Sequence, residues 1–182
     1  DELRKRESLA LLRLALGALV LEEEFGSESL LVRAWRETLD EQVRLVLKFF
    51  RRDFDPASLG ILEKALFSPH GSRRYEAIEL LQSAGDTELC RLLSPFLESS
   101  HTMDLAQEIQ KNFTEISSQN LSDLLGDSLA GEDSWIRACA LWEIGRKKLT
   151  EFRSRVLELK DSKQDLYSQE MAIHCLQSFE EQ

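Results

Sequence analysis

A small residue recurs at a fixed interval along this chain, and that interval restricts the fold more than any other feature. The segments Arg74-Tyr-Glu-Ala77-Ile-Glu-Leu-Leu81, Arg137-Ala-Cys-Ala140-Leu-Trp-Glu-Ile144 and Gln169-Glu-Met-Ala172-Ile-His-Cys-Leu176 align on their alanines. Each has a polar residue three before the alanine and an aliphatic one four after it. The alanines lie 63 and 32 residues apart, and 63 is close to two periods of 32. A weaker copy surrounds Ala106, and Leu45 takes the alanine's place one period before Ala77. Leu66, Leu97 and Leu129 repeat at the same interval, each just before a polar loop. The unit is therefore a helix, a turn, a second helix and a loop. The alanine lets the first helix approach its neighbour closely, and the aliphatic residue on the same face fills the layer between units. One such pair cannot bury its own apolar faces, but stacked pairs can.

Helical periodicity extends to the rest of the chain. A first helix is expected from Glu2 to Glu23, ending near Phe25 and Gly26. Ser27 and Ser29 are candidate N-caps for a long second helix to about Arg52, and Thr38-Leu-Asp-Glu41 has capping-box form, so a break or kink is expected there. Asp55-Pro56 is a helix start, an N-cap followed by proline at the first helical position. Further helices are read over 72–84, 87–98 (with Pro95 implying a kink or early end), 102–113, 120–130, 134–148, 150–159 and 166–179. The fold class is all-α, with residues 1–53 forming the N-terminal helices and 54–182 the repeats, packed as one continuous domain.

The apolar run Leu9 to Leu21 covers 13 residues and contains Arg13. A bilayer span needs about 20 residues, so this run reads as a buried helix capping the stack, with no membrane span. The chain opens on Asp1 and has no signal peptide, which suggests a piece cut from a longer protein. Three scattered cysteines point to a reducing, cytoplasmic setting without a disulfide. The sequons at Asn112 and Asn120 then read as chance.

The alanine segments, with Gly85-Asp86 opening the next helix, resemble HEAT repeats. Trp135-Ile-Arg-Ala-Cys-Ala-Leu-Trp-Glu-Ile-Gly145 is the best copy and Ser72 to Leu81 the second, and the resemblance covers about residues 40 to 182. It implies a right-handed superhelix of about four helix pairs. The order of an apolar first helix, an Arg-rich second helix, Asp-Pro and then repeats also looks like the HEAT segment of bacterial transporter-like proteins of the nucleotide-carrier type. Arg74 and Arg137 recur at equivalent positions and are read as bridging repeats through carboxylates such as Asp86.

Chemistry-bearing motifs are sparse. Gly126-Asp-Ser-Leu-Ala-Gly131 has the glycine spacing of a phosphate loop, but Glu132 and Asp133 replace the required Lys and Ser/Thr, so it reads as a helix-to-helix turn. His70 and His101 occupy similar loops without a cysteine pair beside them, too thin a set for a metal site. His174 and Cys175 are adjacent on a helix and point about 100° apart, which makes Cys175 a core residue rather than an activated thiol. Trp35, Trp135 and Trp142 are read as core or repeat-interface residues, and Glu143 as exposed. No cofactor or metal is expected.

Charge excludes a further class. The chain holds 33 acidic and 23 basic residues, for a net charge of −10. From Asp104 to Asp133 the only basic residue is Lys111. Duplex DNA is bound by neutralising several phosphates, so nucleic acid is not expected as a partner. The one local reversal lies in residues 31–53, with six basic and four acidic residues. Arg44, Lys48 and Arg52 step by four into a stripe, joined by Arg51 and, nearby, Arg73. This stripe is either a docking face for an acidic partner or a solvated face paired with Glu37, Asp40 and Glu41. The leading expectation is a non-catalytic interaction or scaffold module whose partner is a protein or a neighbouring domain of the parent chain. The alternatives are a cytoplasmic regulatory segment of a transporter, and a helical-repeat enzyme of the DNA glycosylase or chromophore lyase kind.

Overall fold

The computed structural model describes residues 2–49, 55–66, 71–84, 87–98, 102–113, 116, 119–162 and 165–180. Among them every regular element is a helix: α1 (Glu2–Phe25), α2 (Leu30–Phe49), α3 (Pro56–Leu66), α4 (Gly71–Ala84), α5 (Thr87–Glu98), α6 (Thr102–Asn112), α7 (Leu121–Ala130), α8 (Ser134–Arg146), α9 (Arg153–Asp161) and α10 (Leu166–Glu180). A 3₁₀ turn, Thr150–Phe152, leads into α9. The chain is all-α, and no described helix is long and apolar enough to cross a membrane.

The helices begin where a short polar side chain can accept from otherwise unpaired N–H groups. Asp55 Oδ1 accepts from the N–H groups of Ala57 and Ser58 at 2.9 and 3.0 Å. Asn120 Oδ1 accepts from Asp123 N at 2.8 Å, which employs that side chain in a cap. Asp133 accepts from Trp135 N and Ile136 N, and Asp165 from Ser168 N. At the other end of α1, Gly26 takes φ +84° and its N–H reaches back to Glu22 O, the left-handed turn that glycine adopts most readily. The same turn after α8 falls on Lys148, φ +53°. There Leu149 N donates to Ile144 O and Lys148 N to Gly145 O, the paired bonds of a Schellman ending.

Neither α2 nor α5 ends at its expected interruption. α2 runs unbroken through Thr38 to Glu41, because its buried residues Leu31, Val32, Trp35, Val43, Val46 and Leu47 continue at helical spacing across the capping-box sequence. α5 likewise continues through Pro95 to Glu98, so the missing proline N–H does not end it. The helix expected from Thr150 is split instead into the 3₁₀ turn and α9. Gly126 to Ala130, read as part of a turn, belong to α7.

The chain forms two compact units. The first comprises 1–19 and 38–118, the second 20–37 and 119–182, so α1 and α2 each contribute to both. In the first unit α3 packs on α4, α4 on α5 and α5 on α6. Its core joins Leu11, Leu12 and Leu16 of α1 to Val43 and Val46 of α2, Leu62 of α3, Ala77 of α4, Leu92 and Leu93 of α5, and Ile109 of α6. The apolar run of α1 is thus a buried helix face. Gln42 of α2 donates to the backbone and side-chain oxygens of Glu7 on α1 at 3.2 and 3.0 Å.

In the second unit α7 packs on α8, α8 on α10 and α10 on α9. α8 and α10 run in the same direction, since Arg137 meets Asp165 and Ser168, Trp142 meets His174, and Gly145 meets Cys175. They approach closely at Gly145, where a Cβ would lie 3.1 Å from Cys175 Cα, and Ala140 and Ala172 are fully buried on the two helices. Leu21, Phe25, Leu31, Val32, Ala34 and Trp35 complete this unit's buried apolar set.

Candidate functional site

The basic stripe read from the sequence falls on the C-terminal half of α2. Successive turns of a helix bring residues four apart onto one face, so Arg44 and Lys48 stand side by side. Both line a groove of about 500 Å³ in the first unit. Its other walls are Leu47 of α2 and Pro56, Leu59, Gly60 and Glu63 of α3. The floor is apolar and the rim is charged. Arg44 Nε sits 3.3 Å from Glu63 Oε1, with both side chains nearly half exposed. An exposed pair of this kind contributes little to stability, roughly 0–1 kcal/mol, and opens readily to another anion. Lys48 is exposed. At the start of α3, hydrogen bonds from the Ser58 hydroxyl and the Ser58 and Ala57 backbones hold the Asp55 carboxyl below its ordinary range.

Arg73 is exposed on α4 and does not line the groove. Arg51, Arg52 and Asp86 lie outside the described residues, as do His70 and His101, and so do the side chains of Arg74 and Leu81. Ala77, Ala140, Ile144 and Ala172 are fully buried, and Leu176 is half-buried. Arg36 pairs with Glu22 of α1 at 2.7 Å, not with the acids of its own helix.

Arg137 is the most connected buried polar residue of the second unit. Its side chain is 6% exposed and spans three elements. Nε donates to Leu129 O of α7, Nη2 donates to Gly131 O, and Nη1 donates to Asp165 Oδ2 at 2.5 Å and to Ser168 Oγ at 3.2 Å. One guanidinium thus satisfies the carbonyls at the end of α7 and the cap of α10. The planar fork of arginine suits such a divergent set, which a lysine point charge does not.

Two sequence expectations are overturned here. Glu143, read as exposed, is 2% exposed. Ser29 Oγ donates to its Oε1 at 2.7 Å, and Arg146 Nε donates to Oε2 at 2.7 Å. It is buried because it lies three residues after Ala140 and four after Cys139, on the same helix face; that spacing was the available signal. Ser29→Ala leaves a buried carboxylate oxygen without its donor. This change is expected to cost about 1–3 kcal/mol in urea unfolding, well above the loss from an exposed serine such as Ser122.

The second correction concerns the tryptophans. Trp35 is buried, and its Nε1 donates to Ser128 Oγ at 3.2 Å. Trp135 and Trp142, expected in the core or at a repeat interface, are 53% and 38% exposed, which excludes the core. Ala138, Ala140 and Gly145 of α8 are buried, and the indoles lie outside the core. Trp142 lies against His174, ring centroids 5.3 Å apart.

Cys139 and Cys175 are free and buried. Burial pushes both thiols up to about 11, helped at Cys139 by the nearby Asp133, Glu143 and Glu37. Thiols held protonated in this way are poor nucleophiles at neutral pH. Among the described residues, no three His, Cys, Asp or Glu side chains converge on a metal-binding position.

No protein-family model, curated protein or solved structure matches this chain. The functional reading therefore rests on the two units' own geometry.

Proposed function

We propose that the chain is a non-catalytic helical-repeat interaction module on the cytoplasmic side, its helix pairs stacked as HEAT-like layers in a right-handed superhelix. Its groove between α2 and α3 docks an acidic segment with apolar anchors, from a protein partner or a neighbouring part of the parent chain. The observation that carries this is the groove itself: an apolar floor of Leu47, Pro56 and Leu59 beneath Arg44 and Lys48, in a chain otherwise rich in carboxylates. The repeat reading is supported by α8 and α10, which run parallel, with α9 between them in sequence, and bury Ala140 and Ala172. The buried polar groups favour a structural role over a catalytic one. Glu143 has a donor on each oxygen, and Arg137 is fully engaged by backbone and side-chain acceptors.

A fluorescein-labelled peptide of glutamates with two spaced leucines tests the groove. Anisotropy is expected to show micromolar binding that weakens as salt rises, since exposed charges are screened over about 10 Å at 0.1 M. The Arg44→Glu/Lys48→Glu double variant should bind about tenfold more weakly or worse, with its circular dichroism unchanged. Equal affinity in the two proteins would remove the groove from consideration.

A further inference from the structure

The exposed aromatics of α8 and α10 follow the repeat. Trp142 and His174 are 32 residues apart and in ring contact. Trp135 and Tyr167 are also 32 apart, each seven residues before its counterpart. Seven residues are close to two helical turns, so each pair of side chains stands on one stripe of its helix, roughly 10 Å apart along the axis. Because the two helices run in the same direction, Trp142 and His174 form one rung, and Trp135 and Tyr167, each seven residues earlier, stand at the level of a second. All four are exposed; Trp135 is 53% and Tyr167 74% exposed. The backbone beneath them is held firmly, with Ala140, Ala172 and Cys175 buried and Gly145 in close contact with Cys175.

The charge of this face is one-sided. Glu170 lies three residues after Tyr167 and four before His174, on the same stripe of α10, and it is exposed. Glu132 and Asp133 are exposed just before Trp135. Over α8, from Ser134 to Arg146, the cationic residues are Arg137, buried and paired with Asp165, and Arg146, paired with Glu143, and from Leu166 to Glu180 there is none. Aromatic faces beside carboxylates, with both cations of α8 already paired, attract guanidinium and ammonium groups through the ring quadrupole and the nearby charge.

We propose that this face binds a basic segment of a partner protein in the polyproline II conformation, with Arg or Lys at positions i and i+3. The rung spacing selects the conformation. In polyproline II three residues complete a turn and advance about 9 Å, so side chains i and i+3 emerge on the same side at the required separation. In a β-strand the same two side chains point to opposite faces. Each cation seats on one rung, and Glu170, between the rungs, lies within reach of both. The surface and the occupant's charge are distinct from those of the α2–α3 groove.

The test uses a fluorescein-labelled proline-rich peptide with arginines three apart, titrated with the full chain by anisotropy. Saturable binding is expected. Trp135→Ser/Tyr167→Ser should weaken it at least tenfold, and Glu170→Lys should do the same. Both changes are at exposed positions, and unaltered thermal melts would confirm an intact fold. A peptide with its arginines two apart should bind several-fold more weakly, and Arg44→Glu/Lys48→Glu should have no weakening effect. A chain this acidic attracts any basic peptide at low salt, so the titrations are repeated at about 0.3 M salt, where exposed charges are strongly screened. Binding that disappears there, that ignores the arginine spacing, or that survives Trp135→Ser/Tyr167→Ser would overturn the proposal, as would no saturation at millimolar peptide.

Discussion

Replacing Arg137 with methionine is expected to lower the stability of the protein by about 3 kcal/mol, towards the lower end of the loss seen when one partner of a buried ion pair is removed. Methionine fills much of the same volume, so the loss is not a cavity effect. It arises because the carbonyls of Leu129 and Gly131 lose their donors, and Asp165 and Ser168 lose the group that joins them to α8. Asp165 keeps some access to water, its side chain being 21% exposed, which places the expected cost at the lower end. Arg137→Lys should recover only part of it, since an ammonium group cannot serve Leu129 O, Gly131 O and Asp165 together.

The pH dependence of this loss has a definite sign. Burial alone would raise the Asp165 carboxyl, but hydrogen bonds from Ser168 and the charge and hydrogen bond of Arg137 outweigh it and hold the group below its ordinary range. A carboxyl depressed in the folded state contributes stability above its unfolded value, about 3.9, and loses it as pH falls through the folded value. The gap between the native protein and Arg137→Met is therefore widest at neutral pH and narrows below about pH 4. Urea unfolding followed by circular dichroism at pH 7 and pH 3.5 measures both. A cost under about 0.5 kcal/mol at pH 7, or a gap that widens in acid, would contradict the assigned role.

Ala140→Leu is expected to cost roughly 1–3 kcal/mol, because the methyl group is fully buried on α8 and three further carbons would overpack its surroundings. Gly145→Val should act in the same direction. Even a bare Cβ at that position lies 3.1 Å from Cys175 Cα, a backbone atom that moves only if α10 moves with it. The gain in helix propensity on replacing glycine, about 1 kcal/mol at most, opposes this and is smaller for β-branched valine. Gln177→Ala, on the exposed side of α10, should stay within about 0.5 kcal/mol. Thermal and urea melts of the three variants give the ranking. Equal tolerance at Ala140 and Gln177 would mean that the alanine does not mark a close helix contact.

Most helix boundaries were legible because they depend on neighbours in sequence. Asp55, Asn120, Asp133 and Asp165 cap within three residues of themselves, and Gly26 turns the chain through its own backbone. The burial of Ala77, Ala140 and Ala172 was legible too, since each lies four residues before an aliphatic residue on the same helix face. The break expected at Thr38 failed because a local capping pattern competes with a buried stripe along all of α2, and burial of that stripe outweighs one cap. The groove was half legible. The spacing of Arg44 and Lys48 showed the stripe, but Pro56, Leu59 and Gly60 became its other wall only when α3 folded beside it.

Sequence by itself determined that this protein is a set of short capped helices, with alanines at buried positions, because propensity, capping and periodicity act over a few residues. Tertiary structure alone decided which residues of each helix face inward. On α8 the choice placed Glu143 against Ser29, more than a hundred residues away, and left Trp135 and Trp142 outside. Hydrophobicity would have ordered those three residues the other way. Packing reversed that order: Gly145 lies against Cys175 of α10 without room for a larger side chain, and a carboxylate can be buried once both of its oxygens have donors, as Ser29 and Arg146 provide for Glu143.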